Sequence, residues 1–99
     1  MLEQINLQDF EWHLRGKNFQ PESIRAYSAD IQQYLEWLSK RGIQSPLFAG
    51  SKEAQEYVAF LASPTHILRP GIVGAYSATT IARKVKVLRY FYNFLESTS

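Results

Sequence analysis

The sequence predicts an all-α fold, a compact four-helix bundle, and three observations support this prediction. The chain has 99 residues, which is enough for one hydrophobic core and too few for two. Apolar residues make up 45% of it and charged residues 20%, a composition typical of folded chains and too apolar for a disordered one. Apolar positions recur at helical spacing, whereas the alternating Val, Ile and Thr runs that indicate strands are nearly absent.

The first two helices are predicted from apolar faces and from residues that start or stop helices. A short helix covers residues 6–15 and stops at Gly16. A long helix begins at Pro21, because proline at the first helical position gives up a backbone donor that has no partner there, and runs to Gly42. The apolar positions are Leu7, Phe10 and Leu14 in the first helix and Ile24, Tyr27, Ile31, Tyr34, Leu35 and Leu38 in the second. Trp37 lies off this second stripe, which predicts either a contact outside the bundle or burial under the first helix.

A loop separates the third predicted helix from the fourth. The third helix covers residues 51–62, with Ser51 as its candidate N-cap. Residues 63–76 contain two Pro and two Gly without a sustained period, which predicts an irregular loop of the length that is often functional or mobile. The fourth helix begins at Ser77, whose hydroxyl can cap the amide three residues on, and continues to Glu96. Its predicted buried stripe is Ile81, Val85, Leu88, Phe91, Tyr92 and Leu95, and its far arc carries Arg83, Lys86, Arg89 and Asn93, with Lys84 at the edge.

Charge is distributed unevenly along the chain. Residues 1–56 carry six basic and eight acidic side chains, whereas residues 57–95 carry five basic side chains and no acidic one. Clustered cations gain free energy by displacing the counterions condensed on a phosphate backbone, so this pattern is typical of a surface that faces a polyanion. A solvated helix face would give the same pattern, and charge alone leaves both interpretations open.

Several classes of function are excluded by what the sequence lacks. There is no Cys, so disulfides and thiolate metal sites are impossible, and two His residues alone rarely hold a metal. The longest apolar run, residues 57–62, is far shorter than the roughly 20 residues that span a bilayer. Residues 1–4 lack the basic and apolar regions of a signal peptide, so we expect none. No nucleophile with a base and no pair of carboxylates is visible, and His13 and His66 have no catalytic partner. We expect a cytoplasmic protein without a cofactor, a membrane partner or a small-molecule substrate.

Two helix starts combine hydroxyls with cations, which is the chemistry that binds phosphate. Free backbone amides and the positive end of the helix dipole attract anions, and Arg can also read guanine in a major groove. The fourth helix supplies Ser77, Thr79, Thr80, Arg83, Lys84 and Lys86, and the second supplies Ser23, Arg25 and Ser28. Gly71 and Gly74 form a Gly-x-x-Gly pattern, but without a following Lys-Ser or a preceding strand it indicates loop flexibility more than a phosphate cradle.

Four segments, residues 23–31, 34–38, 76–83 and 88–95, together resemble a known family, the core-binding N-terminal domains of tyrosine recombinases of Xer and phage-integrase type. The family pattern is Thr-x-x-x-Tyr-x-x-Asp-Leu followed by an aromatic residue and Trp-Leu, and residues 23–31 and 34–38 are similar to it. Residues 76–83 and 88–95 resemble the last helix of that domain. The chain departs from the pattern at Ser23, where Thr is commoner, at Gln20, where a small capping residue is usual, and in a longer loop over residues 65–75.

The resemblance implies a SAM-like fold that clamps double-stranded DNA together with other recombinase protomers on the DNA. In this family a separate C-terminal domain cuts and rejoins strands through a phosphotyrosine intermediate. Its catalytic set includes His-x-x-Arg, and that spacing occurs here at His66 and Arg69, in the predicted loop and without the rest of the set. We therefore expect residues 1–99 to be one DNA-binding domain that lacks the catalytic domain and is not an enzyme by itself.

A helical protein-interaction module is the alternative function. Trp37 and the apolar loop residues could together form a patch that faces a protein partner. Those loop residues are Ile67, Leu68, Ile72 and Val73.

Overall fold

Four helices and one β-hairpin make up residues 7–97, the part of the chain that the computed structural model describes. In chain order the elements are α1 (Leu7–Gly16), α2 (Pro21–Lys40), a short 3-10 helix (Pro46–Phe48), α3 (Ser51–Leu61), β1 (His66–Arg69), β2 (Ile72–Gly74) and α4 (Ala78–Ser97). The all-α class and the four helices are confirmed. Residue 6, the predicted first residue of α1, lies outside the described part.

The signals at the helix ends act largely as the sequence predicts. Pro21 opens α2 after an extended Gln20, and Gly42 follows the helix with a φ of 79°. The hydroxyl of Ser77 accepts a hydrogen bond from the Thr80 amide at 3.1 Å, so the predicted cap of α4 is confirmed. The predicted cap of α3 is wrong by one residue: Gly50 is the N-cap, and its amide donates to the Glu53 carboxylate at 2.6 Å.

The core lies where α1, α2 and α4 meet. Phe10 on α1 packs edge-on against Phe91 on α4, with ring centroids 5.3 Å apart. Val87 and Phe94, which lie outside the predicted stripe of α4, are buried, whereas Ile81, Val85 and Tyr92 are only partly buried. The largest fully buried side chains within residues 7–97 are Phe10, Leu14, Ile31, Tyr34, Leu38, Tyr57, Leu61, Val87 and Phe91.

Trp37 is buried, but under α3 and not under α1. Its ring lies 5.1 Å from the ring of Tyr57 on α3, and it also contacts the ring of Phe60 at 6.1 Å. The guanidinium of Arg41, which pairs with Glu56, covers the indole at 4.8 Å. The expectation of an outside contact is therefore wrong, because α3 buries a second face of α2 that the main apolar stripe does not include.

The prediction of an irregular loop over residues 63–76 is wrong, because this segment contains an antiparallel hairpin. His66 pairs with Gly74, Ile67 with Val73, and Arg69 with Ile72, so Leu68 is an extra residue that forms a bulge. Gly71 makes the turn with a φ of 80°, a conformation that glycine adopts without strain. The strands have four and three residues, and the bulge interrupts their alternation, so neither showed a period in the sequence.

Candidate nucleic-acid interface

The first turns of α4 present hydroxyls and cations on one exposed end. Ser77 and Thr79 are exposed, and the Ser77 hydroxyl also donates to the Thr80 hydroxyl at 3.0 Å. Arg83 and Lys86 follow on the next turns and are both exposed. Because the backbone amides at this end carry partial positive charge, the hydroxyls and the cations favour the same kind of ligand, an anion.

A buried carboxylate on α2 holds two of the α4 cations in place. Asp30, whose side chain is only 5% exposed, accepts hydrogen bonds from Arg83 Nε at 3.2 Å and Nη2 at 3.1 Å. Lys84 Nζ donates to the same carboxylate at 2.9 Å and to the Gln33 side-chain oxygen at 2.8 Å. Two cations share one anion, so the cluster keeps a net positive charge. The side chain of Arg83 is 43% exposed, so this charge faces solvent.

Two of the nine predicted contact residues, Lys84 and Ser28, have side chains that bond partners inside the fold. Lys84 is buried, and its ammonium binds Asp30 and Gln33 and lies 4.8 Å above the ring of Tyr76. Ser28 is buried as well, and its hydroxyl donates to the Glu11 carboxylate of α1 at 2.7 Å. Both side chains connect helices to one another, so neither reaches the exposed end of α4.

The remaining predicted residues lie on accessible parts of α2. Arg25 is exposed and Ser23 is partly buried, both on the first turns of α2. Within residues 7–97 Arg25 takes part in no ion pair, so its charge is available to a ligand. The ion pair between Asp30 and Arg83 joins α2 to α4, about two and a half turns after α2 begins and about one and a half turns after α4 begins.

An open groove of about 580 Å³ separates the hairpin from the start of α4. Arg69 on β1 and Arg83 on α4 both line it, together with Leu68, Ala75, Tyr76, Ser77 and Thr80. Arg69 is not among the predicted contact residues, because the sequence places it in a loop of unknown shape. The signal that could have found it is the absence of any acidic residue from residues 57–95.

The base of the hairpin is fixed by stacked rings. His66 stacks on Tyr76 with centroids 4.3 Å apart and meets Phe60 edge-on at 4.7 Å, and its Nε2 lies 2.8 Å from the Phe60 carbonyl oxygen. The Tyr76 hydroxyl accepts a hydrogen bond from the Gln33 amide at 3.0 Å. His66 therefore has a structural role, and its contacts connect the hairpin to the Asp30 cluster through Tyr76 and Gln33.

His13 is no better placed for catalysis than His66. Its ring packs against Phe94 at 5.3 Å, and burial together with the nearby Lys17 lowers its pKa. Within residues 7–97 no three His, Asp or Glu side chains gather as a metal site would require. None of the helices in the same range is long and apolar enough to cross a membrane.

Comparison with known proteins gives consistent matches. The family model described as the phage integrase N-terminal SAM-like domain matches residues 7–98. A tyrosine recombinase XerC from Staphylococcus epidermidis is 31% identical over 78 residues, which cover 79% of this chain and 23% of that protein. A tyrosine recombinase XerC from Chlorobaculum parvum is 31% identical over 93 residues, 93% of this chain and 26% of that protein.

The match is confined to one part of these relatives. The chain spans about a quarter of the length of the recombinases it matches, and no solved structure matches it significantly. The family model nevertheless covers almost every residue, and a SAM-like domain fits the mostly helical fold of residues 7–97. The chain belongs to the family of phage integrase N-terminal SAM-like domains.

Proposed function

We propose that this chain is the DNA-binding domain of a site-specific tyrosine recombinase or integrase, and that it grips duplex DNA during recombination or integration. The observation that carries the proposal is the start of α4, a helix without acidic residues before Glu96, where the buried Asp30 of α2 positions the exposed guanidinium of Arg83. Membership of the integrase family supports the same function, because the relatives are named as recombinases.

The proposed contacts divide into phosphate-binding groups and one group for base edges. At the start of α4 the hydroxyls of Ser77, Thr79 and Thr80 and the cations of Arg83 and Lys86 bind phosphates. On α2 Ser23 supports a phosphate contact and Arg25 is the candidate for a base contact. Lys84 and Ser28 are left out, because both side chains are buried and their polar atoms bond partners inside the fold.

Strand cutting is carried out by another domain of the recombinase. The relatives are about four times as long as the segment they share with this chain, which leaves room in them for a catalytic domain. We assign residues 1–99 to one DNA-gripping domain without enzyme activity of its own. Its partners are duplex DNA and further recombinase protomers on the same DNA, and its place is the cytoplasm.

Salt dependence of DNA binding tests the proposal. The 99-residue chain is titrated with a fluorescent duplex at several salt concentrations, and Arg83→Ala with Lys86→Ala is compared with the parent. Each lost phosphate contact lowers the slope of log K against log salt by about 0.9, so the double variant loses about 1.8. Lys52→Ala, which removes an exposed cation from α3, is the matched control and keeps the slope of the parent.

A protein-interaction module is the second candidate, and one observation favours it. Ile67 and Val73 on the hairpin are 74% and 64% exposed, and exposed apolar clusters often face partners. The same titration separates the two functions. Binding that is negligible at low salt and insensitive to salt would overturn the DNA-binding proposal and favour the module.

A further inference from the structure

The hairpin presents an unusual amount of apolar surface for its size. Ile67 and Val73 face one another across the strands and are mostly exposed, and Leu68 and Ile72 are exposed as well. Burial of exposed apolar surface is energetically favourable because it removes that surface from water, so such a hairpin favours contact with a ligand or partner. The hairpin therefore has the character of a contact surface.

The charges around the hairpin indicate the chemistry of what covers it. Arg69 lies on the hairpin and faces the groove that Arg83 lines from the other side, and the hydroxyls of Ser77 and Thr80 line the same groove. No acidic residue occurs anywhere in residues 57–95. A ligand that offers closely spaced anions beside apolar surface satisfies both features, and duplex DNA has this combination, with phosphates flanking sugars, base edges and thymine methyl groups.

The hairpin is also held in a fixed position. His66 at its first residue is stacked against Tyr76 and bonded to the Phe60 carbonyl, while Tyr76 is bonded to Gln33 and covered by the Lys84 ammonium. A surface that is ordered before binding loses little conformational entropy when a ligand arrives. The hairpin thus differs from a flexible loop that folds around its partner.

We propose that residues 66–74 form a second DNA-contact element, a β-ribbon that lies in a groove of the duplex beside the phosphates bound by the start of α4. Arg69 binds a phosphate across from Arg83, and Ile67 and Val73 contact the apolar edges of sugars and bases. A two-stranded ribbon fits the major groove, which is about 12 Å wide. This inference rests on the proposed DNA-binding function.

The experiment uses the 99-residue chain and the same fluorescent duplex. Ile67→Thr with Val73→Thr removes apolar surface and keeps β-branched residues, which preserve the strands. We expect this pair to weaken binding about tenfold with an unchanged salt slope, since it removes apolar contacts and no charge. We expect Arg69→Ala to lower the slope by about 0.9.

Matched controls exist in the acidic half of the chain. Leu47 and Phe48 are 65% and 64% exposed, close to the values for the hairpin pair, and their replacement by Thr is expected to leave DNA affinity unchanged. Lys52→Ala is the control for Arg69→Ala. Circular dichroism and thermal unfolding establish that each variant is folded, and Arg69→Ala tests the inference even where the apolar pair unfolds the hairpin.

The outcomes separate this inference from the function on which it rests. One outcome is that the hairpin variants bind DNA like the parent, while the variant with both Arg83→Ala and Lys86→Ala shows the lower salt slope. In that case the hairpin is not a DNA-contact element, and the DNA-binding function stands. If the parent itself does not bind DNA, the function fails, and the inference fails with it. If the parent sediments as a dimer that the apolar variants make monomeric at unchanged DNA affinity, the hairpin is a protein interface and the inference is wrong.

Discussion

Asp30 on α2 accepts two hydrogen bonds from the guanidinium of Arg83 on α4, at 3.1 and 3.2 Å. The same carboxylate accepts a third bond from the buried ammonium of Lys84. One buried anion thus joins the two long helices, fixes the direction of a solvent-facing cation and neutralises a cation inside the fold. Stability and the proposed DNA contact therefore depend on the same side chain.

Removing the carboxylate of Asp30 is expected to destabilise the fold strongly. In Asp30→Asn the ammonium of Lys84 stays buried without a counter-charge, and breaking a buried pair in this way costs about 3–5 kcal/mol. Chemical denaturation measures the loss. Glu36→Gln removes an exposed carboxylate from the same helix and is expected to change the free energy of unfolding by less than about 0.5 kcal/mol. Equal effects of the two substitutions would show that the Asp30 cluster does not stabilise the protein.

Tyr57 and Tyr92 are expected to respond in opposite directions to loss of their hydroxyls. Within residues 7–97 the Tyr57 hydroxyl is buried without a hydrogen-bond partner, so Tyr57→Phe is expected to stabilise the fold by about 1–2 kcal/mol. The Tyr92 hydroxyl bonds the Tyr34 hydroxyl at 2.7 Å and donates to the Pro46 carbonyl at 3.0 Å. Tyr92→Phe is therefore expected to cost about 1–3 kcal/mol. Thermal unfolding of the two variants side by side gives the signs, and a destabilised Tyr57→Phe would contradict this expectation.

Stability is expected to fall at alkaline pH. Burial raises the pKa of Tyr34, Tyr57 and Tyr92 above the usual range. The unfolded chain loses these protons near its tyrosine pKa of about 10, while the folded chain keeps them, so stability is complete below that pH and declines as the pH rises above it. Denaturation at pH values between about 8 and 11.5 measures the decline, and Tyr57→Phe is expected to make it shallower. A flat profile in this range would be inconsistent with buried neutral hydroxyls.

At acidic pH the N-terminus of α3 makes a smaller contribution to the pH dependence of stability. The hydrogen bond from the Gly50 amide lowers the pKa of Glu53. Its contribution is present at pH values above the usual glutamate pKa and is lost as the pH falls through the lowered value in the folded state. Glu53→Gln is expected to reduce the loss of stability between about pH 5 and pH 3. An acid profile identical to that of the parent would mean that the cap bond does not form in solution.

The parts of the fold that follow local rules could be predicted from the sequence. Pro21, Gly42 and Ser77 act through their own backbone or through a neighbour three residues away, so the helix ends could be placed within a residue or two. The strands of the hairpin are too short and too bulged to show a period. The burial of Trp37 depends on α3, which approaches from a distant part of the sequence.

The candidate site shows the same division. The positions of Ser77 and Arg83 near the start of a helix, and the lack of acidic residues in the surrounding stretch 57–95, can be read from sequence. The burial of Lys84 follows from Asp30, which lies 54 positions away, and no local pattern indicates that pair. Arg69 joins the site only because the hairpin turns it toward the groove.

The most direct test of the DNA-binding function is a nuclear magnetic resonance titration of the ¹⁵N-labelled chain with a short duplex at low salt. We expect the largest chemical-shift changes for the amide signals of residues 77–86 and 23–25, and smaller changes for those of residues 66–74. The amide signals of α3 are expected not to shift. Shifts that are absent, or that centre on α3 and the adjoining 3-10 helix, would contradict a DNA interface at the start of α4.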